Sequence, residues 1–392
     1  MKKITNTSNF KELIESNSYY VDKTGAIEEL LKSSKCATFF TRPYKFGKSL
    51  FISMLDNFLN IEYKNINQNL FDGLNISKSE YYKHLSKHPV IVLDLKSLNQ
   101  DNYNDMFKEF KNVIMKLYDN KRYLLDSMDK YEEKYFREFL DGSDEAIYSF
   151  SLKNLCRYLH NYYKMQVIVL VDGLDKLGEN ASKYGYFKEM NYFIDHLFEC
   201  ALKDSEYVDF SILTSVLRPS TPGDFHGFNN VDFQSMEDRF GNNFFGFTES
   251  EVIELFNYYG LELNDEVKNM YGGYKVNDLL LYQPLSILNY VKTKELKSYF
   301  DSSNLLKDFI KNCVGYRKEC IEQLLLEEKI RFRYNELITY ADINKDMFNI
   351  MFAEGVITVD EYVDDPFGGY LKIPLVKIPN NDVKEWLKKI IK

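Results

Sequence analysis

The hydrophobic pattern of the chain contains four short apolar runs that are continuous rather than alternating. They are Ala37–Thr41, Val90–Leu95, Val167–Asp172 and Phe210–Leu217. Continuous hydrophobicity over a short run is typical of strands that helices cover on both faces. The pattern therefore predicts four buried strands of one sheet.

Helical periodicity occupies the segments between these runs. Ser49–Leu59 follows the first run, a charged and aromatic helical insertion covers about 100–165, and Met190–Leu202 precedes the fourth run. Strands that alternate with helices form parallel sheets in α/β proteins. We predict such a sheet flanked by helices.

The pattern changes after the fourth run. Asn243–Phe247 is predicted to be a fifth, shorter strand, and Thr248 then resembles an N-cap, with Glu251 completing a capping box. Helical periodicity continues to about residue 316 with a Gly-rich turn at Tyr271–Tyr274. This change marks a boundary near Phe247.

Three parts follow from these boundaries. Residues 1–247 are predicted to form the α/β core, and residues 248–320 a helical lid over it. Residues 321–392 contain helices and a predicted hairpin over 356–373, an order that resembles a small winged-helix-like module.

Composition narrows the class of protein. The chain has 392 residues, 16% aromatic residues, only 18 Gly and 8 Pro, and a formal charge of −9. These values exclude a disordered or fibrous chain and argue against a large surface for nucleic acid, so a nucleic-acid partner is not expected. Five cysteines without a C-x-x-C pair, a polar N-terminus and no long apolar run predict a cytoplasmic protein without a membrane partner.

The candidate chemistry follows the first predicted strand. Gly47 lets backbone approach phosphate oxygens, Lys48 supplies a positive charge for β- and γ-phosphates, and Ser49 offers a hydroxyl to Mg²⁺ at a helix N-terminus. The full G-x-x-x-x-G-K-[ST] motif is not met, because Arg42 stands at the first Gly position and Pro43 lacks an amide donor. We predict a nucleotide site that includes the loop residues Arg42, Pro43, Lys45, Phe46, Gly47, Lys48 and Ser49.

The third predicted strand ends in a carboxylate, Asp172. An acidic residue at the end of a buried strand is the arrangement that holds Mg²⁺ beside the P-loop hydroxyl. With the loop, it predicts an NTPase core that binds ATP and Mg²⁺, the ion being held by Ser49 and Asp172.

Several segments, in order along the chain, resemble the AAA-ATPase-like family of predicted P-loop proteins. They are YYVDKT (19–24), RPYKFGKSL (42–50), VIVLDLKSL (90–98), VIVLVDGLDKL (167–177), LTSVLRPS (213–220), FFGFTESEV (244–252), MYGGYK (270–275) and YQPLSILNYV (282–291). The resemblance implies an AAA-like core and accounts for Arg42, since the loop of that family has the form R-P-x-x-F-G-K-S. Many members continue into a PD-(D/E)XK nuclease-like domain, which we do not expect in this chain.

Two positions depart from the pattern of that family. Gly173 follows Asp172 where the family has the glutamate that polarises the attacking water, and Asp175 is a weak substitute for it. Tyr44 stands where a second basic residue is usual. We therefore predict ATP binding with weak or absent hydrolysis, and expect Gly173→Glu to raise turnover.

Other residues have weaker functional interpretations. Arg218 is a candidate γ-phosphate sensor, Arg239 a candidate arginine finger in a homo-oligomer, and Tyr20 and Asp22 lie in a segment expected to pack near adenine. For each, a surface ion pair or ordinary core packing is an open alternative. An alternative for the whole chain is a protein-interaction scaffold in which nucleotide is structural or absent, with its aromatic residues contacting a protein partner.

Overall fold

The computed structural model describes residues 1–33, 36–67, 69–143, 147–218, 231–332, 347–364 and 372–391. Its strands are β1 Ala37–Thr41, β2 Val90–Asp94, β3 Val167–Asp172, β4 Val208–Ser215, β5 Val231–Gln234, β6 Phe247–Thr248, β7 Tyr274–Val276, β8 Leu279–Tyr282, β9 Ile330–Arg331, β10 Thr358–Asp364 and β11 Lys372–Lys377.

The helices of the first half are α1 Phe10–Glu15, α2 Gly25–Lys32, α3 Lys48–Leu59, α4 Tyr103–Asp119, α5 Lys130–Leu140, α6 Ser151–Tyr163, α7 Leu174–Tyr184 and α8 Phe187–Leu202. The second half contains α9 Glu249–Tyr259, α10 Asp265–Tyr271, α11 Pro284–Thr293, α12 Asn304–Lys311, α13 Tyr316–Leu325, α14 Met347–Ala353 and α15 Asn381–Ile391. The predicted insertion thus consists mainly of three helices, α4 to α6.

The central sheet has five parallel strands in the order β2-β3-β4-β1-β5. This confirms the predicted α/β fold of the P-loop type. Strands β1 and β3 both pair in parallel with β4, which lies between them. The loop after β1 and the acidic end of β3 therefore lie at the same edge of the sheet. Parallel strands bring their carboxyl ends to one edge, where ligands of such sheets bind.

The prediction of a fifth strand over Asn243–Phe247 was wrong. The fifth strand is β5, which pairs with Ala37–Phe40 of β1. Phe244 and Phe245 instead pack their rings against Phe51 of α3 at centroid distances of 5.7 and 4.7 Å. Their hydrophobicity serves side-chain packing in a loop, and in that part of the chain only Phe247 enters a strand, β6.

Alternate residues of β3 reach two hydrophobic cores. Val167, Val169 and Val171 pack against the insertion helices and α8. Ile168 and Leu170 face the other side, in a core that includes α3 and extends to Trp386 of α15. Burial on both faces explains why the strand is apolar without alternation.

The C-terminal half packs on the α3 side. The capping box of Thr248 and Glu251 begins α9 as predicted. The hairpin of β7 and β8, which the pattern of the sequence did not predict, joins β6 in an antiparallel sheet. Strands β9, β10 and β11 form a third sheet, in which β10 and β11 pair antiparallel. Strand β10 lies within the hairpin predicted over 356–373, β11 begins at its end and continues to Lys377, and residues 365–371 lie outside the described residues. Among the helices within the described ranges, none is both long and apolar enough to cross a membrane.

Candidate functional site

The loop between β1 and α3 has the backbone of a phosphate-binding turn. Gly47 has φ 96° and caps α3, and Lys45 is also left-handed with φ 62°. A Cβ added at Gly47 would meet no atom within 4 Å, so the space beside it is open. The first amides of α3 carry no intrahelical partner and point with the positive end of the helix dipole into this space.

Lys48 is held in position by protein groups. Its Nζ donates to the carbonyl oxygens of Arg42 and Pro43 at 3.0 and 3.1 Å, and lies 3.8 Å from Asp175 Oδ2. Burial lowers the pKa of Lys48, while Asp175 and Asp172 act against that effect. The ammonium group is thus held at the base of the loop, where a phosphate would meet it.

A cavity of about 410 Å³ opens beside the loop. Five lysines and two aspartates line it among the described residues: Lys23, Lys45, Lys48, Lys96, Lys176, Asp172 and Asp175. Its remaining walls include Phe46, Gly47, Ser49, Tyr20, Val21, Leu13, Met54, Phe247 and Leu288. One part of the cavity is therefore rich in positive charge, and its other walls are mainly apolar.

The acidic end of β3 is engaged by protein groups. Asp172 is buried, and its Oδ2 lies 3.1 Å from Lys96 Nζ. Its Oδ1 accepts a hydrogen bond from Thr214 Oγ1 at 3.3 Å. Lys96 also lies 3.1 Å from Asp94 Oδ2. Burial lowers the pKa of Lys96, but Asp172 and Asp94 outweigh it and the net shift is upward.

Gly173 makes this arrangement possible. Its φ is 87°, and a Cβ added there would lie 2.5 Å from Lys96 N and 2.7 Å from Lys96 Cγ. Both values are shorter than any ordinary contact of a side chain, and the first involves rigid backbone. The place of the usual glutamate is therefore filled by a neighbouring loop, which argues against the expectation that Gly173→Glu raises turnover.

Arg42 does not line the cavity, although it was predicted to bind nucleotide. Its guanidinium is buried and donates to the carbonyl oxygens of Thr41, Gln234 and Gly241 at 2.8, 2.7 and 3.0 Å. It also lies 5.0 Å from the ring centroid of Phe245. This placement ties β1 to the segment after β5 and explains the absence of Gly from the loop entry.

Three further predicted residues also lie outside the lining of the cavity. Pro43 lies beneath Gly355, whose added Cβ would be 3.2 Å from Pro43 Cβ. Asp22 accepts hydrogen bonds from Thr24 N and Asn75 N at 2.9 and 2.7 Å. Arg218 stacks 4.0 Å from the ring centroid of Phe233.

Arg239, the candidate arginine finger, is exposed and is not among the residues that line the cavity. Its action as an arginine finger on a neighbouring copy of the chain stays a prediction.

Lys23, Lys96 and Lys176 were missed at the sequence level. Lys23 Nζ donates to Glu251 Oε2 at 2.6 Å, which ties the N-terminal segment to α9. Lys176 Nζ donates to Tyr44 Oη at 3.2 Å and lies 4.9 Å from the centroid of that ring. Lys176 directly follows Asp175, a predicted site residue, and this position in the sequence could have identified it as a residue of the site.

The outer side of the loop contacts the C-terminal half. Gly246 N donates to Phe46 O at 3.0 Å, and Gln283 Nε2 donates to Tyr44 O at 3.1 Å. The Phe46 ring packs edge-on against Tyr274 at 5.2 Å. These contacts fix the loop against the C-terminal half of the chain.

Two buried carboxyl groups lie behind the site. Burial and then Glu354 raise the pKa of Glu179 to about 9, although Lys176 Nζ lies 3.1 Å from its Oε2. Oε1 of Glu179 has no hydrogen-bond partner within the part of the chain that the structure describes. Burial also raises the pKa of Glu354, and hydrogen bonds from Ser302 and Ser303 oppose that rise.

The fit of Mg²⁺ to the predicted ligands is incomplete. Ser49 and Asp172 line the same cavity and have the oxygen donors that the ion prefers. However, both oxygens of Asp172 already receive protein donors, one of them an ammonium group. Within the described ranges, no group of three or more His, Cys, Asp or Glu side chains is placed to hold a metal ion.

Comparison with known proteins agrees with the fold. Residues 5–223 match the family described as "Predicted AAA-ATPase" (AAA-ATPase-like). A protein of Azotobacter chroococcum mcd 1, described as "Uncharacterized protein in vnfD 5'region", is 25% identical over 352 residues. The match covers 88% of this chain and 61% of that relative, so the chain spans less than two thirds of the relative's length. No solved structure matches the chain.

Proposed function

The chain belongs to the predicted AAA-ATPase family, and we propose that its cavity binds ATP and hydrolyses it slowly or not at all. The observation that carries the proposal is the cavity itself. A left-handed glycine at a helix N-terminus and five lysines converge on one open space. This combination suits a polyphosphate better than any neutral ligand.

The phosphates are proposed to bind at the loop. Amides of residues 45–49 would donate to phosphate oxygens, and Lys48 would add a charge-assisted hydrogen bond. The ammonium groups of Lys48 and Lys176 lie 5.3 and 4.9 Å from the centroid of the Tyr44 ring. Their charges compensate for the second basic residue that the family usually has in place of Tyr44. The exposed side chain of Lys45 can reach the ligand from solvent.

The base is proposed to bind against the apolar walls. Tyr20 lies there with its hydroxyl 3.2 Å from Met54 Sδ, and Val21 and Phe247 belong to one hydrophobic cluster with residues of α9, α10 and α11. Apolar walls with few polar groups are typical of the part of a nucleotide pocket that receives the ring. Of the residues predicted near adenine, Tyr20 fits this role, whereas Asp22 ties two loops together.

Slow hydrolysis follows from the residues near the acidic strand end. Gly173 carries no carboxylate, and Asp175 Oδ2 lies 3.8 Å from Lys48 Nζ. A carboxylate held beside an ammonium group is a poor general base for water. The sequence predicts Mg²⁺ beside Ser49 and Asp172, but Lys96 Nζ already lies 3.1 Å from Asp172 Oδ2 there.

Isothermal titration calorimetry with ATP tests the proposed function. We expect measurable binding to the wild type and an affinity about 10- to 100-fold lower for Lys48→Ala, because a hydrogen bond to a charged group contributes about 1.5–3 kcal/mol. Lys64→Ala is the matched control, since Lys64 is exposed and does not line the cavity. No heat from the wild type, or equal affinity for Lys48→Ala and Lys64→Ala, would overturn the proposal.

A further inference from the structure

Lys96 occupies the position at Asp172 where a metal would contribute positive charge. Strands β2 and β3 pair in parallel with Asp94 opposite Asp172, so two carboxylates end side by side. The ammonium of Lys96 lies between them, 3.1 Å from an oxygen of each. One cation thus contacts both carboxylates at the acidic edge of the site.

The position of Lys96 is fixed by backbone contacts. Leu95 N donates to Asp172 O at 2.8 Å, which extends the pairing of β2 and β3 by one residue. Lys96 N donates to Asp94 Oδ1 at 3.0 Å, so Asp94 holds both the amide and the ammonium of the same residue. The side-chain stem of Lys96 then crosses Gly173, where any Cβ would collide with it.

This geometry conflicts with direct binding of a divalent ion at Asp172. Mg²⁺ requires oxygen ligands at short distance in a nearly octahedral shell. Here Oδ2 faces an ammonium and Oδ1 accepts from Thr214, so an ion would have to displace a donor and lie beside a like charge. Like charges at such distances repel strongly in a partly buried site.

We propose that Lys96 supplies at Asp172 the charge that a divalent ion supplies in other P-loop sites, so that ATP binds this cavity almost independently of Mg²⁺. The inference rests on the proposed ATP binding and states how little that binding depends on Mg²⁺. Lys96 also lines the cavity with a half-exposed side chain, from which its ammonium can face a phosphate while it remains near Asp172.

Calorimetry on the full chain, with ATP in excess Mg²⁺ and with ATP in excess EDTA, tests this inference. We expect wild-type affinities in the two buffers to differ by less than about threefold. Lys96→Met leaves Asp94 and Asp172 unpaired beside the phosphates, so its affinity in EDTA should fall at least about tenfold more than its affinity in Mg²⁺. Lys96→Arg keeps the charge and should retain the wild-type ratio.

The matched control is Lys176→Met, which removes a lysine that lines the same cavity but lies 3.1 Å from Glu179 Oε2 rather than beside Asp172. It should lower the affinity equally in both buffers. A second measurement needs no nucleotide: Mn²⁺ titration followed by electron paramagnetic resonance should show about tenfold tighter ion binding by Lys96→Met than by the wild type, because the ammonium group between the two carboxylates is removed.

The outcomes distinguish a failure of this inference alone from a failure of the proposed function. If the wild type binds ATP in Mg²⁺ and loses that binding in EDTA, the inference is wrong and the proposed function stands. An unchanged ratio in Lys96→Met, with Mn²⁺ affinity also unchanged, overturns the inference as well. If ATP binds in neither buffer, the proposed function fails and the inference fails with it.

Discussion

Two strand-to-helix turns of the central sheet have nearly the same backbone and opposite surroundings. Gly47, between β1 and α3, has φ 96° and ψ 13°, and Gly173, between β3 and α7, has φ 87° and ψ 12°. A Cβ at Gly47 would meet open space, whereas a Cβ at Gly173 would meet Lys96. The same conformation therefore leaves room for a ligand at one turn and for a neighbouring loop at the other.

The surroundings of the two turns explain why glycine is needed at each of them. At Gly47 only the left-handed backbone requires it, and the open space lets a phosphate approach the amides. At Gly173 the backbone and the close approach of Lys96 both require it. The comparison predicts that substitution at Gly47 acts mainly on binding and substitution at Gly173 mainly on folding.

The largest effect is expected for Gly173→Ala. A left-handed alanine costs about 1 kcal/mol and overpacking against backbone about 1–3 kcal/mol, so the free energy of unfolding should fall by about 3 kcal/mol. Urea unfolding followed by circular dichroism measures it. Gly173→Glu meets the same backbone atoms, and it should destabilise the chain without raising turnover.

Gly185→Ala is the matched control for this prediction. Gly185 caps the other end of the same helix, α7, with φ 79°, and its added Cβ would meet nothing within 4 Å. It should lose only about 1 kcal/mol, from backbone strain. Equal losses for the two variants would show that Lys96 does not fill the space beside Gly173.

These two turns also show how far the sequence predicts the site. The strand, the glycine and Lys48 are neighbours in the chain, so local pattern was enough to predict the loop. The same local reasoning found Asp172 at a strand end. Both predictions depend on spacing along a single segment.

Contacts between distant segments were not predictable in this way. Arg42 donates to Gln234 and Gly241, about half the chain away, so its buried role depends on the tertiary fold. Lys96 meets Asp172 only because β2 and β3 pair in one particular register. Residue pattern predicts that a strand exists but leaves its partner and register open.

An intermediate effect is expected for Gly47→Ala. Its stability should fall by about 1 kcal/mol, as for Gly185→Ala, because only backbone strain opposes it. Its affinity for ATP should fall by about tenfold or more, since a shifted loop loses at least one hydrogen bond to phosphate. Calorimetry on both variants at matched folded fraction separates the two effects. A loss of stability without a loss of affinity would contradict the assignment of the phosphates to this loop.

The smallest effect concerns the helices that follow the two turns. The buried face of α3 is largely apolar, with Phe51, Leu55 and Phe58, whereas α7 buries Glu179 near Glu354. Because the pKa of Glu179 is raised from 4.5 to about 9, the folded chain keeps a proton that the unfolded chain releases between these values. The contribution of Glu179 to stability is therefore complete below about pH 4.5 and is lost as the pH rises towards 9.

Glu179→Gln keeps the shape of the side chain and removes this titration. Its free energy of unfolding relative to the wild type should rise by about 1 kcal/mol between about pH 6 and pH 7, close to the limit of about 1.4 kcal/mol per pH unit for one proton. Urea unfolding at both pH values measures the change, and Glu328→Gln, at an exposed position, is the control. A difference that stays constant with pH would mean that Glu179 is ionised in the folded chain and paired with Lys176.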